Sequence, residues 1–519
     1  MTAPSPDHIL SETPSGLAPP PHPFNLAAHA LARADALAGK TALAIVSPQG
    51  AERWRYGQLL RTVQGIATGL LSEGLSPGDR VLMRLGNEVE FPLAYLGAIW
   101  AGLVPVPTSS QLTTPEISRI AADLQPRLTI AAPGIALPVP APCPVILDSA
   151  LRKMASRPAA PPDMGDPDRP GYIVYTSGTS GRPRGVVHAH RALWARRSMV
   201  EGWYGLTASD RLLHAGAFNW TYTLGTGLLD PWAIGATALI PAAGTNAAQL
   251  PLLLKRFDAT IFAAAPGVYR QMLRDVDRLD VPKLRHGLSA GEALPEVTRT
   301  AWAAATGRPV HEALGMSECS TFVSGSPERP APNGTTGFPQ SGRRVAVLGA
   351  DGTAVRRGTP GTLAIHRSDP GLMLGYLDAP AETEARFAGD WFLTGDSVAM
   401  ADDGALTYLG RNDDMMNAGG YRVSPLEVEA ALSAHPGIAE VACAEVAVKS
   451  GVTVIAAFYT GAAPVPDDAL AAFVAGRLAR YKCPRIFEHV AELPRSGNGK
   501  LNRQALRRTA PPRTPPDRS

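Results

Sequence analysis

The chain has 519 residues, of which 45% are hydrophobic and 18% charged, a balance that is typical of globular proteins and excludes a disordered chain. At this length we expect about three or four structural units, which excludes a single small binding module. A formal charge of +3 without a basic block argues against a nucleic-acid or anionic-membrane partner. No run of 18 apolar residues is present, and the first residues lack the order of a secretory signal, so we expect a cytoplasmic protein without a membrane span.

Helix-like and strand-like segments alternate through the first two-thirds of the chain. A leader rich in Pro and Ser, residues 1–23, is expected to be loosely ordered. Apolar residues then recur at helical spacing in Leu59–Leu71 and Phe91–Gly102, with a short β-rich run between them at Arg80–Leu85. Further β-rich runs are Gly171–Tyr175, Thr237–Ile240, Ala259–Ala264 and Pro309–Glu312. This alternation predicts a parallel sheet covered by helices.

The pattern changes near Gly334, because from there to Leu409 short strands and turns predict a small β-rich lobe. A separate small α+β unit is predicted after Asp413. Its expected elements are a helix at Pro425–Ala434, strands at Ile438–Val446 and Val452–Tyr459, and a helix at Asp467–Leu478. We therefore predict an α/β fold with a large N-terminal domain at residues 24–412, a small C-terminal domain at residues 413–508 and a frayed tail at residues 509–519.

The most informative motif is GYIVYTSGTSGRPRG, Gly171 to Gly185. A short apolar strand leads into a loop of glycines and hydroxyl side chains, with two arginines at its far end. Glycines let successive backbone N–H groups face an anion, hydroxyls add donors, and arginine adds charge. This pattern predicts a polyphosphate-binding loop, although TSGTSG alone is also typical of a surface turn. It is not a Walker A loop, because no lysine follows the last glycine.

At this motif the sequence resembles the adenylate-forming superfamily, which includes acyl-CoA and aryl-CoA synthetases, carrier-protein-loading adenylation domains and luciferase. Ser180 and Arg184 stand where the family usually has Thr and Lys. The resemblance continues in the family's order over nearly the whole chain. The further segments that carry it are LSAGEALP, EALGMSE, WFLTGD, GRNDD, AGGYRVSPLEVE and LPRSGNGKLNR.

The resemblance implies a set of nucleotide-binding residues. Ser317 is implied to contact the α-phosphate, and Glu318 and Thr176 to hold Mg²⁺. Leu314 stands where the family usually has an adenine-stacking tyrosine. The other implied nucleotide or CoA contacts are Ser177, Gly178, Thr179, Ser180, Gly181, Arg184, Gly291, Glu292, Ala293, Gly315, Met316, Asp396, Arg411, Gly419, Gly420, Arg422 and Lys500.

The C-terminal motifs are implied to serve thioester formation and catalysis. Asp413 is implied as a hinge, and Gly419 and Gly420 could let a narrow pantetheine arm pass close to the backbone. Lys500 matches the family's catalytic lysine, a cation that stabilises the charge at the α-phosphate together with Ser317, Glu318 and Thr176. Read alone, a lysine after a Gly-Asn-Gly turn is typical of a solvated loop.

Two features of the sequence indicate which class of carboxylic acid is the substrate. Amino-acid-activating relatives pair the substrate ammonium with an aspartate, whereas the segment AGAFNWTYTLGTG has no carboxylate before Asp230, so an α-amino acid is not expected. Gly315 replaces a tryptophan of acetate-specific relatives, and we expect it to leave room for a longer or aromatic acyl group. The candidate pocket residues are Phe218, Asn219, Trp220, Tyr222, Gly225, Ala290, Gly315, Met316 and Phe322, although core packing accounts equally well for the aromatic ones.

We therefore predict an ATP- and Mg²⁺-dependent acid–thiol ligase that makes an acyl-adenylate from a medium-chain or aromatic acid and transfers the acyl group to CoA. Three alternatives stay open: a carrier-protein-loading adenylation enzyme, a non-catalytic adenylate-binding homologue and a luciferase-like oxygenase. The expected partners are a small carboxylic acid, ATP and CoA, without nucleic acid. Whether the protein is a monomer or a homodimer stays open.

Overall fold

In the computed structural model of the protein, the described residues are 11–13, 16–177, 183–274, 276–412, 414–418, 421–449, 452–475, 477–478, 482–495 and 499–509. Their contacts divide them into two compact units. The larger unit comprises Thr13–Val345 and Ile365–Phe392. The smaller one has its described residues within Met1–Glu12, Ala346–Ala364 and Leu393–Ser519. It thus includes segments that precede the expected hinge at Asp413, a residue that lies outside the described ones.

The described strands follow the predicted alternation. In chain order they are β1 Thr41–Val46, β2 Ala51–Arg55, β3 Arg80–Arg84, β4 Val104–Pro107, β5 Leu128–Ala131, β6 Val145–Leu147, β7 Pro170–Ser177, β8 Pro183–Ala189, β9 Arg211–His214, β10 Thr237–Pro241, β11 Ile261–Ala264, β12 His286–Ala290, β13 Val310–Met316, β14 Ser320–Ser324, β15 Phe338–Pro339, β16 Val345–Leu348, β17 Gly361–His366, β18 Gly375–Tyr376, β19 Phe387–Ala388, β20 Trp391–Met400, β21 Leu406–Arg411, β22 Met416–Ala418, β23 Tyr421–Val423, β24 Glu440–Lys449, β25 Val452–Thr460 and β26 Ile486–His489.

The described helices lie mostly between these strands. They are α1 Leu26–Ala30, α2 Tyr56–Ser72, α3 Glu90–Trp100, α4 Thr114–Leu124, α5 Asp148–Met154, α6 Ala192–Ala195, α7 Asp230–Ile234, α8 Leu250–Arg256, α9 Pro266–Met272, α10 Glu296–Thr306, α11 Pro380–Glu384, α12 Pro425–Ser433, α13 Asp467–Ala475 and α14 Arg503–Thr509. Two π-helical segments, Val200–Tyr204 and Thr223–Leu229, and one 3₁₀ turn, Ala247–Gln249, complete the set.

The predicted parallel architecture is confirmed, but it is divided between two sheets. A nine-stranded sheet has the order β15-β14-β13-β12-β11-β9-β10-β1-β2, and its pairs from β13 to β1 are parallel. A second sheet, β4-β3-β5-β6, is parallel throughout. The short strands β10, β11 and β12 are buried along their whole length, as expected for parallel strands covered on both faces.

Four further sheets of the described residues are smaller than the nine-stranded sheet. Strands β18, β8 and β7 form an antiparallel sheet. The predicted β-rich lobe is the five-stranded sheet β16-β17-β20-β19, with β21 paired to β20. In the C-terminal part β24 pairs antiparallel with β25, and β26 adds a parallel strand, while β22 and β23 form a hairpin.

The described residues of the N-terminal leader include two that are hydrogen-bonded to distant segments. Ser11 is fully buried, and its N–H donates to the carbonyl of Val355 at 3.0 Å. Separately, within the larger unit, the hydroxyl of Thr13 donates to the carbonyl of Arg343 at 3.0 Å. The reason is that backbone groups of a short Pro-rich segment can satisfy open strand edges without any hydrophobic pattern of their own.

Candidate active site

The larger unit gathers several predicted site segments at one edge of its sheet. Strands β9, β12 and β13 are parallel and lie on either side of β11, so their carboxyl ends meet at the same edge. The chain segments that leave these ends are 215–222, 291–293 and 317–319. Ligands of open parallel sheets bind at such an edge, so the topology brings together residues that lie up to about a hundred positions apart in the sequence.

The phosphate-loop motif is described on its two sides. Thr176 lies in the next-to-last pair of β7 and β8, where its register partner is Arg184, and the last pair is Ser177 with Pro183. The Arg184 Nε forms an ion pair with Glu382 at 2.9 Å, and its guanidinium lies 5.3 Å from the ring of Tyr376. Of the predicted contacts, Gly178, Thr179, Ser180, Gly181 and the side chain of Ser177 lie outside the described residues.

Ser317 and Glu318 occupy the turn between β13 and β14. Tyr376 donates its hydroxyl hydrogen to Glu318 Oε1 at 2.8 Å, and the N–H of Met373 donates to the Glu318 carbonyl at 2.7 Å. The Nε2 of His188 lies 2.7 Å from the carbonyl oxygen of Ser317. Both the main chain and the side chain of this turn are therefore held from outside the hairpin.

The protonation state of His188 follows from its surroundings. Burial lowers the pKa of His188 to about 4, so the ring is neutral at pH 7. A carbonyl oxygen only accepts, so the ring proton resides on Nε2, facing Ser317. The Nδ1 atom is then an acceptor, and it is buried without a hydrogen-bond partner among the described residues.

The segment expected to lie along adenine is open. Gly291 has φ +97°, a left-handed conformation that disfavours a side chain, and a Cβ atom built there would meet nothing within 4 Å. Ala293 is exposed and Glu292 half-buried. The segment is anchored where it ends, because the N–H of Leu294 donates to Glu312 Oε1 at 2.9 Å. Burial raises the pKa of Glu312 to about 7.

The backbone of β14 lies close to Gly315. A Cβ atom at this position would lie 2.4 Å from the carbonyl oxygen of Ser320 and 2.6 Å from the Cα of Thr321. Both atoms belong to the backbone of β14, which pairs with β13 here. The missing side chain therefore lets the two strands approach, and the space expected for an acyl group at this position stays a prediction.

Two of the predicted pocket aromatics belong to the packed interior. Phe218 is 1% exposed and stacks on Phe91 with ring centroids 5.2 Å apart. Tyr222 stacks on Trp203 at 5.8 Å, and its hydroxyl donates to the carbonyl of Leu288 at 3.1 Å. Packing against neighbouring rings explains these side chains without a ligand.

The remaining predicted pocket residues differ in exposure. Asn219, Trp220 and Met316 are half-buried, and so is Leu314, which was predicted at the adenine-stacking position. Ala290 and Phe322 are buried in the interior. Gly225 is the pocket residue with an unexpected neighbour, because a Cβ atom there would lie 2.1 Å from the Cζ of Arg196.

A small cavity adjoins Ser317 and Gly225, and the sequence did not predict most of its lining. The lining residues are Tyr95, Tyr172, His188, Arg196, Thr221, Leu224, Gly225, Leu229, Ser317 and Ser320. Arg196 is 5% exposed and forms an ion pair with Asp230, which is 3% exposed. The signal that the sequence offered was Asp230 itself, the first carboxylate after the AGAFNWTYTLGTG segment, but its partner 34 positions earlier carried no distinguishing mark.

The smaller unit brings together the residues expected to hold ribose. Asp396 on β20 and Arg411 on β21 are register partners, and Arg411 Nη1 donates to Asp396 Oδ1 at 3.2 Å and to the carbonyl of Thr394 at 3.0 Å. Gly395 has φ +81°, and a Cβ atom there would lie 2.9 Å from the Arg411 guanidinium, so glycine is required between the two.

Lys500 is exposed. Next to it Leu501 forms a bridge with Arg495, and Arg495 Nη1 donates to the carbonyl of Gly499 at 3.0 Å. Arg503, which follows in α14, donates to both carboxylate oxygens of Glu429 at 2.7 and 2.8 Å. The lysine is thus exposed between described residues that are held by hydrogen bonds. Asp413, Gly419, Gly420 and the side chain of Arg422 lie outside the described residues.

The side chain of Glu318 is the candidate carboxylate for binding a divalent cation in this site. Within the described parts of the chain, no group of three or more His, Cys, Asp or Glu side chains could by itself hold a metal ion. Mg²⁺ in nucleotide enzymes is usually bound by one or two protein side chains plus phosphate oxygens. Tyr376 engages only Oε1 of Glu318, so the donor set fits such a site. Within the described residues of the chain, no helix is long and apolar enough to cross a bilayer.

Comparison with known proteins gives a consistent family match. The profile described as AMP-binding enzyme matches residues 31–377, and the profile described as AMP-binding enzyme C-terminal domain matches residues 427–500. The chain is similar to a benzoate–CoA ligase of Thauera aromatica, with 31% identity over 91% of this chain and 95% of that one.

Two solved structures are similar over almost their full length. One is an anthranilate CoA ligase, AuaEII, in complex with anthranoyl-AMP, with TM-score 0.85, 26% identity, and coverage of 94% of this chain and 98% of the other. The other is a benzoate CoA ligase from Burkholderia xenovorans LB400, with TM-score 0.82, 29% identity, and coverage of 93% and 100%.

Proposed function

The chain belongs to the AMP-binding enzyme family, and on that premise we propose that it is an AMP-forming ligase that joins an aromatic or medium-chain carboxylic acid to CoA. The match to a benzoate–CoA ligase over 91% of the chain carries this assignment. The similarity to aryl-CoA ligases of known structure, over more than nine-tenths of the chain, supports an aromatic acid.

The reaction has two balanced steps. In the first, a carboxylate oxygen of the acid attacks the α-phosphorus of ATP, and pyrophosphate leaves with the electron pair of the broken P–O bond. In the second, the thiol of CoA attacks the acyl carbonyl, AMP leaves, and the thiol proton passes to solvent. Charge develops on the α-phosphate and the leaving pyrophosphate, so the protein accelerates the first step chiefly by placing donors and cations there.

The residues of the larger unit are assigned to the phosphates. Ser317 contacts the α-phosphate, and the Thr176–Gly185 segment holds the pyrophosphate end. Glu318 and Thr176 hold Mg²⁺, which when bound neutralises phosphate charge. The support is the fixed turn of Ser317 and Glu318 at the carboxyl edge of the sheet, where Tyr376 leaves one carboxylate oxygen of Glu318 available.

The residues of the smaller unit are assigned to ribose, catalysis and CoA. Asp396 and Arg411 form a carboxylate–guanidinium pair suited to the ribose hydroxyls. Lys500 supplies a cation to the first step. Gly419, Gly420 and Arg422 line the CoA path, and a rotation about Asp413 exchanges them with Lys500 between the two steps.

The structure supports the exclusion of an α-amino acid substrate. Asp230, the carboxylate closest in sequence to the pocket segment, accepts from Arg196 Nε at 3.0 Å on Oδ1, and from Arg196 Nη2 at 2.6 Å and the Tyr204 hydroxyl at 2.7 Å on Oδ2. Its charge is already compensated, so it is not available to a substrate ammonium. A buried ammonium without a counter-charge would be strongly disfavoured.

The test is acid-dependent pyrophosphate release and AMP formation, measured with and without CoA, for wild type, Lys500→Ala and Lys283→Ala. Lys283 is an exposed lysine outside every assigned site and is the matched control. We expect CoA-dependent turnover, a loss of roughly 10²–10³-fold for Lys500→Ala, and wild-type rates for Lys283→Ala.

Three results would contradict the proposal. Pyrophosphate release with acceptance of a phosphopantetheinyl protein but not CoA would identify a carrier-protein-loading enzyme. Calorimetric ATP binding without turnover of any acid would identify a binding homologue. Equal losses in both lysine variants would remove Lys500 from the catalytic assignment.

A further inference from the structure

The cavity beside Ser317 is built around a buried ion pair. Arg196 and Asp230 are both almost fully buried, and Nε and Nη2 of the guanidinium bind the carboxylate oxygens. Nη2 also lies 3.0 Å from the hydroxyl oxygen of Tyr204 and 3.3 Å from that of Thr226. Nε and Nη2 of Arg196 therefore have all their hydrogen-bond partners within the protein interior.

The opposite side of the guanidinium faces Ser320. Arg196 Nη1 donates to the hydroxyl oxygen of Ser320, a residue of the cavity wall. Ser320 has φ +61°, an uncommon value for a residue with a side chain, and such strained positions concentrate at functional sites. Gly225 leaves the space that the guanidinium fills, since a Cβ atom there would lie 2.1 Å from Cζ.

Two residues that line the cavity each have a buried polar atom for which the described residues provide no hydrogen-bond partner. The hydroxyl of Tyr95, a residue 1% exposed, is buried without a hydrogen bond, and so is His188 Nδ1. Buried polar groups are almost always satisfied, so two such atoms on residues that line one cavity are suited to bind a group from outside the chain, which is an ordered water or part of a ligand. Because the His188 proton faces Ser317, Nδ1 accepts, and the Tyr95 hydroxyl can donate or accept.

The size and charge of the cavity limit what enters it. Its volume is about 10 Å³, sufficient for a group of the size of one water molecule and too small for a ring or a carboxylate. The ion pair has no net charge, so an additional buried anion would lack a counter-charge of its own. An apolar group would leave Tyr95 and His188 unsatisfied. A hydroxyl both donates and accepts, so it matches this wall.

We propose that this cavity recognises a hydroxyl group carried by the acid substrate, with Tyr95, His188, Arg196 and Ser320 as the residues that determine specificity. The proposal rests on the proposed function, in which the carboxylate of the same acid reacts beside Ser317, another residue of the cavity wall. The substrate class is then a hydroxylated aromatic or medium-chain acid. A site built to hydrogen-bond a substrate hydroxyl discriminates strongly against the analogue that lacks it.

The experiment compares matched acids. The kcat/KM for pyrophosphate release is measured with benzoate, its three monohydroxy isomers, isophthalate, hexanoate and 6-hydroxyhexanoate, for wild type, Tyr95→Phe, Ser320→Ala and Tyr175→Phe. Tyr175 also has a buried hydroxyl without a partner but does not line the cavity, which makes it the matched control. The quantity that decides is the ratio of kcat/KM for a hydroxylated acid to that for its parent.

We expect this ratio to exceed about 10 in wild type for at least one hydroxylated acid, to fall by roughly 5- to 30-fold in Tyr95→Phe and in Ser320→Ala, and to stay unchanged in Tyr175→Phe. The inference is overturned if the parent acids or isophthalate are the better substrates, or if both cavity variants retain the wild-type ratio. No pyrophosphate release with any acid would instead contradict the proposed function, so the two failures are distinguishable.

Discussion

Tyr376 shows how a residue outside the recognised motifs positions one inside them. Its hydroxyl donates to Glu318 Oε1 at 2.8 Å, while the guanidinium of Arg184 lies 5.3 Å from its ring. The arginine that replaces the family's usual lysine is therefore stacked on the same tyrosine that fixes the proposed metal ligand. The phosphate loop and Glu318 thus share one structural support.

We predict that Tyr376→Phe raises the concentration of Mg²⁺ needed for half-maximal pyrophosphate release by roughly 10-fold, because groups that orient a metal ligand typically contribute 10- to 100-fold in affinity. The measurement is a Mg²⁺ titration at fixed ATP and acid. Tyr56→Phe is the control, since it loses a hydroxyl bonded to the carbonyl of Ala236 at 2.6 Å, remote from the phosphates. An unchanged Mg²⁺ requirement in Tyr376→Phe, with a changed one in Glu318→Gln, would restrict Tyr376 to a structural role.

The hairpin of β13 and β14 is the element on which the proposed site depends. Its register shifts between Leu314 and Gly315, and the backbone of Ser320 and Thr321 occupies the place of a side chain at Gly315. Ser317 and Glu318 are in its turn, and Ser320 on the returning strand binds Arg196. One hairpin therefore carries both the residues assigned to phosphate and Ser320, which lines the cavity beside Ser317.

We predict that Gly315→Ala destabilises the fold by about 1–3 kcal/mol, the range found when a methyl group is forced into a packed interior. The neighbours at 2.4 and 2.6 Å are backbone atoms, which cannot rotate away. Urea unfolding measures the change. Gly39→Ala serves as the control, because a Cβ atom there meets nothing within 4 Å, and it should alter stability by less than about 0.5 kcal/mol. Equal stability of the two variants would contradict this account of the hairpin.

Across the whole molecule, buried histidines link stability to pH. Burial lowers the pKa of each to about 3 or 4; they are His188, His190, His214, His286 and His311. In the unfolded chain these rings take up a proton near pH 6.5, whereas in the folded protein they stay neutral. The unfolded state then binds more protons, so stability present above pH 6.5 is lost as the pH falls towards 4.

We predict that the free energy of unfolding decreases between pH 7.5 and 5.5, and that each buried histidine contributes about 1 kcal/mol to this decrease. His214 is the position to test, since neither ring nitrogen has a hydrogen-bond partner in the part of the chain that the structure describes. For His214→Leu, the free energy of unfolding should decrease by about 1 kcal/mol less than in wild type. Urea unfolding at the two pH values measures the difference. Identical decreases in wild type and variant would show that His214 does not remain neutral in the folded protein.

The sequence by itself determined the family, the α/β class and the segments that form the proposed site. The motifs are short and contiguous, so residue type and order reveal them without the fold, and hydrophobic periodicity located strands such as β3 and helices such as α2 within a few residues. The Asp396–Arg411 contact was predictable in the same way, since both residues belong to recognised motifs on paired strands.

Only the tertiary structure decided which side chains form the cavity and what Gly315 does. Tyr95, His188 and Ser320 come from three different elements, and Arg196 directly follows α6. None of the four has a local sequence signal, because a contact between distant segments depends on how sheets and helices pack. The sequence supplied the absence of a side chain at Gly315, but only the neighbouring backbone showed that this absence serves close strand packing.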